Sequence, residues 1–204
     1  MNLFKQCYLV FLFLTTVQIT AQNKKITSAF ATSYTFQEQA NYEAAIAEIN
    51  KVYNEDSYEI NLRLGWLHYL GENNVQAINY YKKASKIMPA ATEPQWNMIT
   101  VYTKTENWIE IEKQYLSIIE LDPKNTSANY NLGLIYYYRK DFSRAKKYFD
   151  VALNIKPFGY NNLLMSAWTN YFLGNRNNAS ILFNKVLLYS PNDPSALEGL
   201  ALMK

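Results

Sequence analysis

The sequence predicts an all-α protein built from repeated pairs of helices, because several residue classes recur every 34 positions. The prolines that recur at this interval are Pro89, Pro123, Pro157 and Pro191. An aromatic series has the same step, at Tyr81, Tyr115, Phe149 and Phe183. A third series, of mostly small residues, comprises Ala77, Ile111, Ala145 and Ala179. Independent classes that repeat in register indicate a stack of equivalent structural units.

Residues 1–21 have the pattern of a secretory signal peptide. Lys5 precedes a short apolar run that starts at Cys7, and Ala21 ends the segment before a polar stretch. The run is shorter than the roughly 20 residues that a membrane-spanning helix needs. The residues before Cys7 do not resemble a lipoprotein processing site. We therefore expect cleavage after Ala21, a mature chain without cysteine or a stable membrane span, and export to the bacterial periplasm or the extracellular space.

Each repeat has the pattern of two amphipathic helices. In residues 126–159, Leu132 and Tyr136 belong to an apolar stripe at helical spacing, which predicts the first helix. A polar interruption follows, a second stripe begins at Phe142, and Pro157 ends the second helix. Small residues where the two helices cross would allow a close approach of their axes.

The mature chain, residues 22–204, is predicted to form one domain of five such repeats. Gly71 and Gly174 lie in the turns between first and second helices, where a residue that tolerates positive φ ends a helix well. The first repeat is degenerate, and the final helix would cover the last exposed face. The predicted boundaries are 26–57, 58–91, 92–125, 126–159 and 160–193, with a C-terminal helix at 194–204.

This pattern resembles the tetratricopeptide repeat (TPR) over nearly the whole mature chain. The fourth repeat carries it most fully, at Leu132, Gly133, Tyr136, Ala145, Phe149, Ala152 and Pro157. The resemblance implies a right-handed α-α superhelix, a TPR solenoid, in which the first helix of each repeat lines a concave groove.

A second stripe of the first helices lies about 100° from the core stripe and is rich in aromatic side chains. In TPR proteins this stripe faces the groove. Two interpretations stay open: the tyrosines can be ordinary packing residues, whereas the tryptophans suit the anchoring of a peptide or stacking on sugar rings. The predicted partner-binding residues are Trp66, Tyr69, Trp96, Tyr130, Leu134, Tyr137, Trp168 and Tyr171.

The sequence shows no set of residues suited to catalysis, cofactor binding or metal binding. The one histidine, His68, falls at a core position of the repeat and is expected to be a buried or half-buried spacer, which leaves no base to activate a Ser or Thr. A net charge of +3 without a basic run argues against nucleic acid. Glu106, Glu110 and Glu112 are expected to form a solvated helix face.

We therefore predict a non-catalytic protein–protein interaction scaffold of the cell envelope that binds a protein or peptide in an aromatic groove. The alternative is a TPR scaffold subunit of a polysaccharide or outer-membrane secretion apparatus, in which the aromatic side chains contact glycan. In the carboxylate-clamp subtype of TPR proteins, Lys, Arg and Asn on this stripe hold an acidic peptide tail. Here the stripe carries Leu62, Trp66 and Leu134 instead, so we predict no such clamp.

Overall fold

A computed structural model describes residues 22–204 and shows an all-helical chain without strands over that range. The predicted signal peptide, residues 1–21, lies outside the described residues. None of the described helices is both long enough and apolar enough to cross a membrane. The helices are α1 (described part 22–38), α2 (Tyr42–Asn50), α3 (Tyr58–Leu70), α4 (Asn74–Ile87), α5 (Glu93–Lys104), α6 (Trp108–Leu121), α7 (Thr126–Tyr138), α8 (Phe142–Ile155), α9 (Tyr160–Phe172), α10 (Arg176–Tyr189) and α11 (Pro194–Ala201).

In chain order, the helices alternate as first and second helices of successive repeats from α1/α2 to α9/α10, and α11 follows. The predicted all-α class and the count of about five repeats are confirmed. The described chain divides into two compact units, of which the first ends at Val101 and the second begins at Tyr102. The division falls within α5.

Most helices begin where a side chain caps the first turn. In each case a side-chain oxygen of the cap accepts a hydrogen bond from the backbone N–H three residues later, and such a cap stabilises a helix by about 1 kcal/mol. These caps are Asn41, Ser57, Asn73, Asn107, Asn125, Asp141 and Asp193. At these seven helix starts, a polar residue between the apolar stripes supplies the capping side chain.

The turns inside the pairs share a left-handed residue. The φ angle is positive at Ala40, Glu72, Glu106, Lys140 and Gly174. Gly174 has φ +76°, as expected for its turn. The expectation for Gly71 is wrong, because its φ is −80° and the following residue, Glu72, takes the left-handed conformation instead.

In the first unit, α2 and α3 pack around a fully apolar cluster. Its buried members are Ala45, Ile49, Ile60, Leu64 and Leu67. The α3–α4 crossing is closer still, because a Cβ atom added at Gly65 would lie 2.6 Å from Cε1 of the buried Tyr81. A larger residue than glycine has no room there.

The second unit repeats this arrangement in α7–α11. A Cβ atom at Gly133 would lie 2.5 Å from the ring of Phe149, which has no solvent exposure. The crossing alanines Ala145 and Ala152 are fully buried, as the pattern predicts. A second cluster joins α9, α10 and α11 through Leu163, Ala167, Ala179, Leu182, Phe183, Val186 and Ala196.

Amide side chains fix the turns that connect one pair to the next. In the first unit, Asn61 Nδ2 donates to the carbonyls of Glu55 (2.9 Å) and Ser57 (2.7 Å). In the second unit, Asn129 Nδ2 donates to the carbonyls of Pro123 (3.0 Å) and Asn125 (2.9 Å). The two asparagines occupy the same repeat position, so the same pair of side-chain hydrogen bonds satisfies the turn carbonyls in both units.

Candidate binding groove

All eight predicted partner-binding residues are half-buried, which leaves part of each side chain accessible. Trp66, Tyr69 and Trp96 belong to the first unit. The remaining members belong to the second unit and are Tyr130, Leu134, Tyr137, Trp168 and Tyr171. The structure therefore places them as two groups.

In the first unit, α3 holds Trp66 and Tyr69 side by side, with ring centroids 5.4 Å apart. Beside them on the same helix, Arg63 is only 5% exposed and donates to Ser33 Oγ on α1 at 2.9 and 3.2 Å. Its guanidinium also stacks on the Tyr34 ring at 3.9 Å. Burial lowers the pKa of Arg63. The contacts show Arg63 bracing α1 against α3.

The second unit contains a cavity of about 710 Å³ between α6 and α7. Leu134 lines it, and Trp108 and Tyr138 are strongly exposed members of its wall (56% and 76%). Its lining residues are Thr103, Trp108, Ile111, Tyr115, Asn131, Leu134, Ile135, Tyr138 and Arg139. The lining is mostly apolar and aromatic, as in pockets that take an apolar ligand group.

A connected group of rings extends from α7 to α9 in the same unit. We call it the aromatic cluster; its members are Tyr137, Phe142, Trp168, Tyr171 and Phe172. Phe142 and Phe172 stack with centroids 4.7 Å apart, and Tyr137 meets Phe142 edge-on at 5.5 Å. Trp168 contacts Tyr171 at 5.6 Å and Phe172 at 6.0 Å. The structure thus joins three predicted binding residues with two phenylalanines.

Two of the predicted residues also contribute to packing. Tyr130 lies 5.8 Å from the core ring of Phe149, and burial raises its pKa. Trp168 packs edge-on against Phe183 at 5.0 Å, and its Nε1 donates to Ser195 Oγ on α11 at 2.8 Å. Both side chains therefore pack against the core while part of each stays accessible, so packing does not rule out a binding role.

Electrostatics at the cavity rim centre on Glu112. Its carboxylate accepts hydrogen bonds from Tyr136 Oη and from the Arg139 guanidinium, with which it forms an ion pair. Burial alone would raise the pKa of Glu112, but these two donors hold it below its ordinary value. The same contact and burial raise the pKa of Tyr136 to about 12. The expectation of a solvated carboxylate is wrong for Glu112, because α7 covers it.

His68 is half-buried and stacks on Tyr80, with centroids 5.3 Å apart and planes 10° apart. Burial lowers its pKa, so the ring is neutral near pH 7. This is the packing role that the repeat position predicts. Within residues 22–204, no group of three or more His, Cys, Asp or Glu side chains could hold a metal ion.

Sequence reasoning missed Trp108 in the cavity wall and Phe142 in the aromatic cluster. Both are the first residue of a second helix, and they stand 34 positions apart. The prediction followed first helices alone, so it passed over this pair. A search of every 34-residue register for repeated aromatic residues would have found them.

The paired helices, the crossings closed by glycine and alanine, and the accessible aromatic residues together define a helical repeat protein. Residues 127–158 match the family model of the tetratricopeptide repeat. Residues 127–158 are therefore similar to a tetratricopeptide repeat in sequence, and the helices of the described chain fit about five repeats of this kind.

Comparison with individual proteins agrees with this assignment. Human tetratricopeptide repeat protein 6 is 39% identical over 61 residues, which are 30% of this chain and 12% of that protein. A tetratricopeptide repeat protein from Parabacteroides merdae ATCC 43184 matches with a TM-score of 0.67 at 19% identity, over 88% of this chain and 72% of the other. YrrB, a TPR protein with an unusual peptide-binding site, matches with a TM-score of 0.63 at 17% identity, over 89% and 95% of the two chains. These structural likenesses establish the fold.

Proposed function

We propose that this chain is a non-catalytic scaffold of the cell envelope that binds a partner protein or peptide through the second unit. TPR proteins are typically scaffolds for protein–protein interaction. The observation that carries the proposal is the apolar cavity between α6 and α7, flanked by the exposed rings of Trp108 and Tyr138. The peptide-binding site ascribed to YrrB supports a peptide as the ligand.

The cavity suits an apolar anchor side chain of the partner. Leu134 and Ile135 offer an aliphatic wall, Trp108 and Tyr138 offer ring faces, and Arg139 is the charged residue among those that line it. Large apolar anchors that enter such pockets dominate the affinity of many interfaces. The ion pair of Arg139 with Glu112 leaves the rim nearly neutral, so we expect apolar burial to contribute most of the binding free energy.

The aromatic cluster would extend the contact beyond the cavity. Its rings already pack against each other at 4.7–6.0 Å. Side chains held in this way lose little rotamer freedom when a ligand arrives, which favours affinity. Phe172 is 49% exposed and supplies an accessible ring of the cluster.

The envelope location rests on the signal-peptide pattern of residues 1–21. We expect the mature chain in the host cell to begin at Gln22, which N-terminal sequencing of the native protein would show. A native protein that retains Met1 would contradict export by this route.

The binding site can be tested with a photo-crosslinking phenylalanine derivative in place of Tyr138, in the native cell. We expect a discrete adduct that disappears when Trp108→Ala is added, since Trp108 shares the cavity wall. The same probe at Ile181, an exposed residue of α10, is the matched control. Equal adducts at Ile181, or an adduct that survives Trp108→Ala, would contradict the proposed site.

Glycan is the alternative ligand, and stacking on Trp168 is the contact that would bind it. Titration of the intrinsic tryptophan fluorescence with oligosaccharides tests this directly. A saturable change that Trp168→Phe abolishes would favour glycan over peptide.

A further inference from the structure

Two neighbouring segments of the second unit present exposed apolar side chains. One is the end of α8 with the turn after it, and the other is the last turn of α10. The exposed fractions are 40% for Ile155, 53% for Phe158, 76% for Leu188 and 55% for Tyr189. We call these four residues the turn patch. None of them lines the cavity or belongs to the aromatic cluster.

The aromatic rings of the turn patch contact each other and neighbouring side chains. The rings of Phe158 and Tyr189 lie 5.5 Å apart, and Tyr189 also contacts Tyr160 at 5.7 Å. Tyr160 Oη in turn donates to Asp193 Oδ2 at 2.6 Å. Asp193 is 5% exposed and also accepts from the backbone N–H of Ala196, so this carboxylate is engaged inside the protein.

The exposed charged residues of the two segments are lysines, and the adjacent carboxylate of Asp193 is buried and hydrogen-bonded to Tyr160 and Ala196. Residues 153–160 and 185–192 contain Lys156 and Lys185, both exposed, and no Asp or Glu. The end of α6 offers a contrast within the same unit. Its Leu121 occupies the same repeat position as Ile155 and Tyr189 and is 42% exposed, but Glu120 and Asp122 flank it.

We propose that the turn patch docks this chain peripherally on the surface of an anionic lipid bilayer. Lysines favour anionic headgroups, and tyrosine places an apolar ring and a polar hydroxyl at the level where headgroups meet acyl chains. Leu188 and Phe158 would enter the outer part of the apolar layer. The positive charge of the two lysines favours an anionic lipid surface at the turn patch. At Leu121, the same surface would repel the flanking carboxylates.

Co-sedimentation of the full chain with vesicles tests the proposal. We expect binding to vesicles of phosphatidylcholine with phosphatidylglycerol, weaker binding at raised salt, and none to phosphatidylcholine alone. The double variant Phe158→Ser/Tyr189→Ser should bind about tenfold more weakly or worse. Lys156→Gln/Lys185→Gln should lose the dependence on anionic lipid. The matched control Leu121→Ser should bind like the unmodified chain.

Several results would overturn the proposal. One is failure of the unmodified chain to sediment with anionic vesicles, and another is equal binding by Phe158→Ser/Tyr189→Ser. A third is a lower molecular mass of that variant in sedimentation velocity, which would make the turn patch a contact between copies of this chain. Circular dichroism of each variant would confirm that the helices are retained, since all four side chains are at least 40% exposed.

Discussion

The crossing of α7 and α8 gives the sharpest test of the packing argument. A Cβ atom at position 133 would lie 2.5 Å from Cδ1 and Cε1 of Phe149, whereas ordinary carbon contacts are about 3.5–4.0 Å. Phe149 has no solvent exposure, so its ring has no free space to enter. Gly133→Ala must therefore move one helix or distort the ring.

The expected magnitude follows from two opposing effects. Overpacking of this kind destabilises by about 1–3 kcal/mol, and the severity of the contact points to the upper end. Alanine in place of glycine inside a helix contributes about 1 kcal/mol in the other direction. We expect a net loss of about 2 kcal/mol, which lowers the melting temperature by about 4–8 °C for a chain of this size.

Thermal and urea unfolding followed by circular dichroism would measure the change. Gly71→Ala is the matched control, because its Cβ would meet neighbours at 3.4 and 3.5 Å and its φ is −80°. We expect this control to change stability by less than about 0.5 kcal/mol. The double variant Gly133→Ala/Phe149→Leu should be less destabilised than the sum of the single variants. Additive effects, or a Gly133→Ala variant that melts with the unmodified chain, would refute the reasoning.

Four further predictions follow from the same structure. Lys140→Gly should stabilise by about 0.5–1 kcal/mol in thermal unfolding, because relief of the left-handed strain at φ +60° exceeds the entropy effect of glycine; unchanged or lower stability would argue against strain there. Ala145→Leu should lower the melting temperature more than Ile111→Leu, since the third repeat already accommodates a large residue at that crossing; comparable shifts would count against the repeat alignment. Asn129→Ala should cost about 1–3 kcal/mol and speed hydrogen exchange in the turn before α7, since two carbonyls lose their donor; unaltered exchange would show that water replaces the amide. The charged Glu112 should stabilise the fold above pH 4.5 and lose this effect as the pH falls through its lowered pKa in the folded state, so Glu112→Gln should be less stable than the unmodified chain only at the higher pH. A stability difference between the two that persists at lower pH would contradict the ion-pair explanation.

The repeat architecture was predictable from the sequence because it depends on residue classes at fixed intervals. Proline, alanine and core aromatic residues repeat at 34, and burial confirms their roles at Ala145 and Phe149. The groove was predictable only in part. A stripe on one helix shows which of its side chains share a face. The places of Trp108 and Glu112 in the site depend instead on how α6, a second helix, packs against α7, the first helix of the next repeat.

Turn geometry was the least predictable feature. The left-handed position exists in every pair, yet glycine fills it only at Gly174 among the five observed turns. The left-handed residues Glu72, Glu106, Lys140 and Gly174 share one repeat position, and Gly71 stands one residue before it. The backbone conformation of the repeat, more than the residue type, therefore determines the positive φ at this position.

The hydrogen bond from Trp168 to Ser195 makes one indole a member of both the aromatic cluster and the α11 contact. Two equilibria that share a side chain are thermodynamically coupled, and the coupling is reciprocal. A ligand that immobilises Trp168 would reduce the fraying of α11 by the same free energy by which docked α11 strengthens the ligand. In the proposed binding mode, α11 would therefore be coupled to the ligand through this one hydrogen bond.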